Sequence, residues 1–478
     1  MNFLMALRIQ SVIAAMLAAF QLPALLLAFS LGEPLQYHVL SFLFACGLAL
    51  GYFYTLKAST DLCARDGVLA VGLGWANTLF LGALPYVFSG RLGWIDALFE
   101  STSGFTTTGS SVLTDIEAWP QSLLLWRSTT QWLGGMGMLV LATAILPFLG
   151  AGGLQIMKAE VPGPSKDKLV PRVATTARIL WSIYLFLTLL CILAFHVSGM
   201  TWLEAVNHAF TSMATGGFST RNASFGVFSP AAQWWAVFFM TVAGINYVLH
   251  YRLLLKGDLA IHRDDELRWY LGIILGVGLF CAWVAHPITA EQDLETALRQ
   301  GLFQVVTIIT TTGYASTDWE TWPLFAQLVL VGVMIPGSMA GSTAGGIKVV
   351  RLVIAVRIFS TVVNRMLMPE RVVMVKLNGR EVDRDIIEST VALVSAAAVA
   401  IILGTIILVG LGMDTGSAYS AALTAFSNVG PGIGSVGPMD NFASVHDLGK
   451  ILLAVLMVLG RLEVFTLIML FLPRFWRS

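Results

Sequence analysis

Residues 5–30 carry a single charged side chain, Arg8. Further apolar runs follow near 37–56, 67–90, 120–149, 176–199, 230–256, 268–288, 322–360, 385–412 and 447–473. Runs of about twenty residues or more match the length of a membrane-crossing α-helix. A membrane barrel would instead show alternating segments of roughly ten residues. With 56% hydrophobic and 12% charged residues, the chain is not an ordinary soluble domain. The reading is an all-α polytopic membrane protein. The first run has no clear A-x-A site behind it and reads as a membrane helix, not a signal peptide. The net charge of zero gives no argument for nucleic acid. The four cysteines, Cys46, Cys63, Cys191 and Cys281, form no CxxC pair and read as packing residues.

Charge sets the expected orientation. With the N-terminus inside, the inner loops hold Lys57, Arg65, Lys158, Lys166, Lys168, Arg172, Arg263, Arg365, Arg371, Lys376, Arg380 and Arg384, and the tail holds Arg474 and Arg477. The outer segments hold chiefly Arg91, Arg221 and Arg299, and many acids, among them Asp96, Glu100, Glu204, Glu295 and Asp414. The positive-inside rule then places both termini in the cytoplasm. An acidic outer face would concentrate cations, or it is only a solvated rim.

One interruption recurs. "FTTTGSS" at 105–111 is followed by "SMATGGFST" at 212–220, "IITTTGYAS" at 308–316 and "FSNVGPGIG" at 426–434. Each places a small polar residue two positions before a glycine: Thr107-Thr108-Gly109, Thr215-Gly216-Gly217, Thr311-Thr312-Gly313 and Asn428-Val429-Gly430. Each follows a semi-apolar segment of about 10–14 residues, too short to span a bilayer. Asp96, Glu204, Glu295 and Asp414 introduce these segments. Three of the following helices open with Pro120, Pro230 or Pro323, as suits a first helical turn.

A non-helical loop at membrane depth is tolerated where it lines an aqueous path or is buried in protein. Four such loops around one axis can present carbonyl oxygens to a dehydrated cation. The twelve residues of the four triplets are therefore the candidate filter. The expected fold is four pseudo-symmetric units of membrane helix, pore half-helix and membrane helix around one pore, plus two N-terminal helices. The expected boundaries are 1–60, 61–150, 151–262, 263–370 and 371–478.

These loops, with "GSMAGSTAGGIKVVR" from Gly337 and the two extra helices, resemble the Trk/Ktr/HKT superfamily of cation transporters, most of all its bacterial Trk potassium-uptake subunit. The resemblance covers nearly the whole chain. It implies a K⁺ pore in the bacterial inner membrane, usually a homodimer, bound to a cytoplasmic nucleotide-sensing ring protein. It also implies K⁺ over Na⁺, because glycine is kept at positions 109, 217, 313 and 430, although Na⁺ and Rb⁺ leakage is compatible with it. The fourth loop departs most, with Pro431 removing a backbone donor.

Two features are gate candidates. The run 322–360 is too long for one crossing and is interrupted at "PGSMAGSTAGG", 336–346. Either this is a small-residue packing face or an unwound loop that obstructs the pore. The second reading assigns Gly337, Ser338, Gly341, Ser342, Thr343, Gly345 and Gly346 to a gate, with Lys348 steering or blocking cations behind it. Arg461 stands inside the last apolar run, where an unpaired arginine costs about 2.5–3.5 kcal/mol on insertion scales. It either pairs with Glu463 or another buried acid, or projects toward the pore as a barrier, the reading the resemblance favours. Arg127 is expected to snorkel, and Asn246, His250 and Gln304 to pack or hydrogen-bond between helices.

No enzyme signature such as HExxH, GxSxG or a P-loop is present. The alternative is a Na⁺/K⁺-permeable or ion-coupled carrier with alternating access, against which four short units argue, because such carriers show two related halves. No cofactor is expected, and K⁺ is the substrate.

Overall fold

The computed structural model describes residues 3–55, 64–137, 173–288, 293–368, 374–462 and 464–476. Of the basic residues used for orientation, Lys57, Lys158, Lys166, Lys168, Arg172, Arg371 and Arg477 lie outside that set, as do Cys63 and Glu463. Among the described residues Cys46, Cys191 and Cys281 are free thiols.

Helices α1 (Phe3–Leu31) and α2 (Gln36–Thr55) open the chain and pack on each other and on the helix Ala64–Phe88 that follows. Four units follow. The first has α3 (Ala64–Phe88), half-helix α4 (Trp94–Phe105) and α5 (Gln121–Gly135). The second has α6 (Val173–Val197), half-helix α7 (Trp202–Met213), α8 (Pro230–Ala243) and α9 (Tyr247–Lys256). The third has α10 (Asp265–Ala285), half-helix α11 (Leu294–Ile309), α12 (Leu324–Val333) and α13 (Val349–Leu367). The fourth has α14 (Arg384–Gly410), half-helix α15 (Thr415–Ser427), α16 (Asp447–Arg461) and α17 (Phe465–Phe471). A short hairpin pairs Lys376–Leu377 with Arg380–Glu381.

Helices α1, α2, α3, α6, α10 and α14 are each long and apolar enough to cross a membrane. The half-helices are not. Three have 12 or 13 residues and α11 has 16, somewhat longer than the sequence suggests. At 1.5 Å per residue they fall short of a hydrocarbon layer of about 30 Å. Half-helices α11 and α15 are capped at their starts by an acid, whereas α4 follows Gly93 with no side-chain cap. Asp293 accepts from the Thr296 N–H and Asp414 from the Ser417 N–H. These bonds hold both carboxyls below the usual carboxylate range. Thr201 and Glu204 form a reciprocal capping box on α7.

The second helices differ from the sequence expectation. The runs 230–256 and 447–473 read as unbroken, yet both are interrupted. Between α8 and α9 the chain bends by 96°. Asn246 accepts from the Val248 N–H and so starts α9, while His250 Nε2 bonds the Val242 carbonyl across the elbow. Between α16 and α17 lies Val464, at φ +63°. Helix α5 ends at Gly135, and the rest of its expected run, 138–149, is outside the described residues. Close packing explains two of these sites. A Cβ on Gly134 would collide with the Phe105 carbonyl, and one on Gly460 with the Phe426 carbonyl. Both glycines let a second helix press on the end of a half-helix. The run 322–360 breaks where expected, between α12 and α13.

Candidate functional site

All four half-helices end in the same way. Thr107, Thr215, Thr311 and Asn428 have φ of 54° to 56°. Each donates its N–H three residues back, to Gly104, Ser212, Ile308 and Ala425, and the following residue donates to the carbonyl five back. This is a Schellman end, which usually places glycine at the left-handed position. A β-branched residue there is costly, so three threonines mark a site held for its side chain. The glycines two positions on, Gly109, Gly217, Gly313 and Gly430, also have positive φ, 77° to 106°.

The glycines reveal how the loops meet. A Cβ on Gly109 would strike the Gly216 carbonyl oxygen. One on Gly217 would strike that of Thr312, one on Gly313 that of Val429, and one on Gly430 that of Thr108. Each step goes to the next unit, and the fourth returns to the first. The four loops therefore form one closed ring. The segments beyond repeat the cycle: Asn222 accepts from the Ile116 N–H, Phe225 donates to Ala315, Glu320 accepts from Gly434, and Phe442 donates to Ser111. Thr107, Thr108, Thr215, Thr311, Thr312, Asn428 and Val429 are all 0% exposed, whereas Gly109, Gly217 and Gly313 are half-buried, so the ring is enclosed except at its glycine rim. The half-helix C-termini, with their partial negative charge, converge on it.

Gln131, which the sequence does not single out, holds the ring from behind together with residues that it does. Gln131 donates Nε2 to the Gly216 carbonyl at 2.5 Å and accepts the Phe218 N–H at 3.0 Å. Its amide fills the space a Cβ on Gly216 would need, which explains glycine where the other loops have threonine or valine. Arg127 does not snorkel. It is buried, pairs with Glu100 at 2.5 Å, donates to the Ser219 carbonyl and lies over the Phe218 ring. Glu100, expected on the outer rim, is likewise buried and accepts the Val112 N–H. Burial of either charge alone would be prohibitive, so the pair is interpretable only together. Gln304 donates to Ser316 and Thr317 beyond the third loop.

On the side of the ring reached by the half-helix C-termini lies a second layer. The segment between α12 and α13, with Arg461, touches all four left-handed residues. Arg461 Nη1 donates to Thr107 Oγ1 at 3.2 Å and to the Thr343 carbonyl at 2.8 Å. Its Nη2 donates to the Gly134 carbonyl at 2.6 Å and to that of Gly135. Thr215 reaches Thr343 at 3.4 Å. The Gly345 N–H donates to Thr311 Oγ1 at 2.8 Å, and Gly345 also packs on Asn428. Ser338 donates to the Ile309 carbonyl. The loop seats in the α8–α9 elbow, where Met339 donates to Gly244, Tyr247 to Gly341, and Thr343 to Ala243. Gly337 and Gly346, both at positive φ, pack on each other, while Ser342 turns back on Met339 and is half-buried. Lys348 is buried and donates to the Ala344 carbonyl, tying the loop instead of facing an open path. The Glu463 partner weighed for Arg461 is outside the described residues.

A cation transport protein family, TrkH, matches residues 39–478. The chain belongs to this family. It is a family of membrane transport proteins, not of enzymes. The chain is 40% identical to the Trk system potassium uptake protein TrkH of Salmonella typhimurium, covering 91% of both chains. It is 35% identical to the protein of that name from Halomonas elongata, over the whole of each. The crystal structure of the potassium transporter TrkH from Vibrio parahaemolyticus superposes with a TM-score of 0.89 at 34% identity, covering 100% of both chains.

Proposed function

We propose that this chain carries K⁺ into a bacterial cell across the inner membrane, through the ring of four loops. The observation that carries the reading is the closed cycle in which each loop's glycine meets the next loop's carbonyl. Such a ring supplies oxygens in place of an ion's water shell. The names of its relatives, Trk system potassium uptake proteins, support K⁺ as the cargo. The filter is Thr107–Gly109, Thr215–Gly217, Thr311–Gly313 and Asn428–Gly430. The loop between α12 and α13, with Arg461, is the gate. Its contacts with all four left-handed residues support that role, as does a positive charge placed where a cation leaves the ring. Both termini lie in the cytoplasm. The protein works as a homodimer with a nucleotide-sensing cytoplasmic ring subunit, a proposal that follows from family resemblance.

Rubidium-86 uptake into proteoliposomes tests the reading. Uptake suppressed by K⁺ and little affected by Na⁺ or Li⁺ is expected. Equal suppression by K⁺ and Na⁺ would favour a Na⁺/K⁺-permeable carrier.

A further inference from the structure

Glu266 occupies the first turn of α10, where an acid is ordinary helix chemistry and attracts no notice in the sequence. In the structure it is buried and leaves its own helix. One carboxylate oxygen, Oε1, accepts two N–H groups: that of Ala340 at 2.8 Å and that of Val350 at 3.0 Å. Ala340 belongs to the intramembrane loop. Val350 is the second residue of α13, where backbone N–H groups have no partner within the helix. These two positions bracket the stretch that carries Thr343 and Gly345 to the ring. A single oxygen thus fastens both ends of the obstructing segment to a membrane helix.

The two preceding acids face elsewhere. Asp264 accepts from Asn378 Nδ2 at 2.8 Å. Asp265 accepts from the Asn378 N–H at 2.8 Å and from Arg357 at 3.0 Å, and its own N–H donates to Asn378 Oδ1 at 2.7 Å. Asn378, at φ +50°, is the turn of the hairpin Lys376–Glu381. Arg357 comes from α13 and also donates to the Lys376 carbonyl. Three consecutive acids therefore hold an exposed hairpin with two members and the buried loop with the third.

We propose that Glu266 is the positioning residue that latches the intramembrane loop under the ring, and that Asp264 and Asp265 couple this latch to the 376–381 hairpin. The proposal rests on the reading of the loop as a gate. Displacing the hairpin shifts the first turn of α10 and draws Oε1 away from both N–H groups. Both N–H groups then lose their acceptor together, and a buried N–H left without a partner is costly.

The test is initial rubidium uptake in proteoliposomes by the full chain. Glu266→Ala is expected to raise uptake roughly tenfold or more, the scale of two backbone N–H groups losing their acceptor, with the K⁺-over-Na⁺ preference unchanged. Glu266→Gln keeps an oxygen in the same place and is expected to restore wild-type uptake. Glu266→Asp keeps the carboxyl but shortens the reach and is expected to leak, which retains the test if the alanine variant fails to fold. Asn378→Ala is expected to give a smaller rise, and no further rise on top of Glu266→Ala. Glutamine leaking as much as alanine would overturn the latch. So would wild-type uptake by the folded alanine and aspartate variants alongside a leaking variant shortened at 338–346. A shortened variant that does not leak would instead overturn the gate reading.

Discussion

The ring and the layer beneath it are built on different principles. All four units contribute to the ring in the same way, with a Schellman end, a left-handed polar residue and a positive-φ glycine. The layer comes from two units alone, the third through its broken second helix and the fourth through Arg461, while the second provides only the elbow that seats the loop. Symmetry suits a structure that must surround an ion equally. Asymmetry would suit the proposed gate, because one loop can leave while the half-helix ends keep their own Schellman bonds. The comparison predicts that changes in the ring alter which ion passes or close the path, whereas changes in the layer let more ions pass without altering which.

The largest effect is expected from Gly217→Ala or Gly313→Ala. Either methyl group would enter the space of a neighbouring carbonyl, at a backbone angle that disfavours side chains. Rubidium uptake should fall below detection while the protein still purifies. Uptake at wild-type level would break the ring half of the comparison. Shortening 338–346 should raise uptake roughly tenfold or more, the scale of losing several loop contacts, and leave ion preference intact. Arg461→Ala should raise single-channel conductance or flux by a few-fold, because a charge near the ion path is removed. If thermal stability falls and flux does not rise, the arginine serves only to join Gly134, Gly135, Thr107 and Thr343. The smallest effect is expected from Asp414→Ala, far from both layers. Loss of that cap should reduce stability by about 1 kcal/mol in thermal unfolding, with selectivity unchanged.

The sequence made the symmetric part legible and most of the asymmetric part illegible, for physical reasons. Glycine two positions after a small polar residue at membrane depth has few explanations, and four copies point to one axis. The glycine-rich stretch from Gly337 is too dense for stable helix, so its break is visible too. Gly244 is a single glycine in an apolar run, which a helix tolerates, so the 96° elbow at Asn246 left no mark. Glu100 and Arg127 are 27 positions apart, and nothing local indicates that they meet or that both are buried. Gln131 acts on a loop in another unit, and Glu266 resembles any first-turn acid. Left-handed threonine goes against backbone preference, and the surrounding packing, not local propensity, decides it.

The most direct measurement is rubidium-86 uptake competed by K⁺, Na⁺ and Li⁺, made in parallel on the wild type, on Gly109→Ser and on the protein shortened at 338–346. The account predicts that Gly109→Ser, whose Cβ would approach the neighbouring carbonyl less closely than one at Gly217 or Gly313, weakens the preference for K⁺ over Na⁺, while the shortened protein takes up more rubidium with its preference kept. A Gly109→Ser protein that keeps full K⁺ preference, beside a shortened one that loses it, would contradict the account.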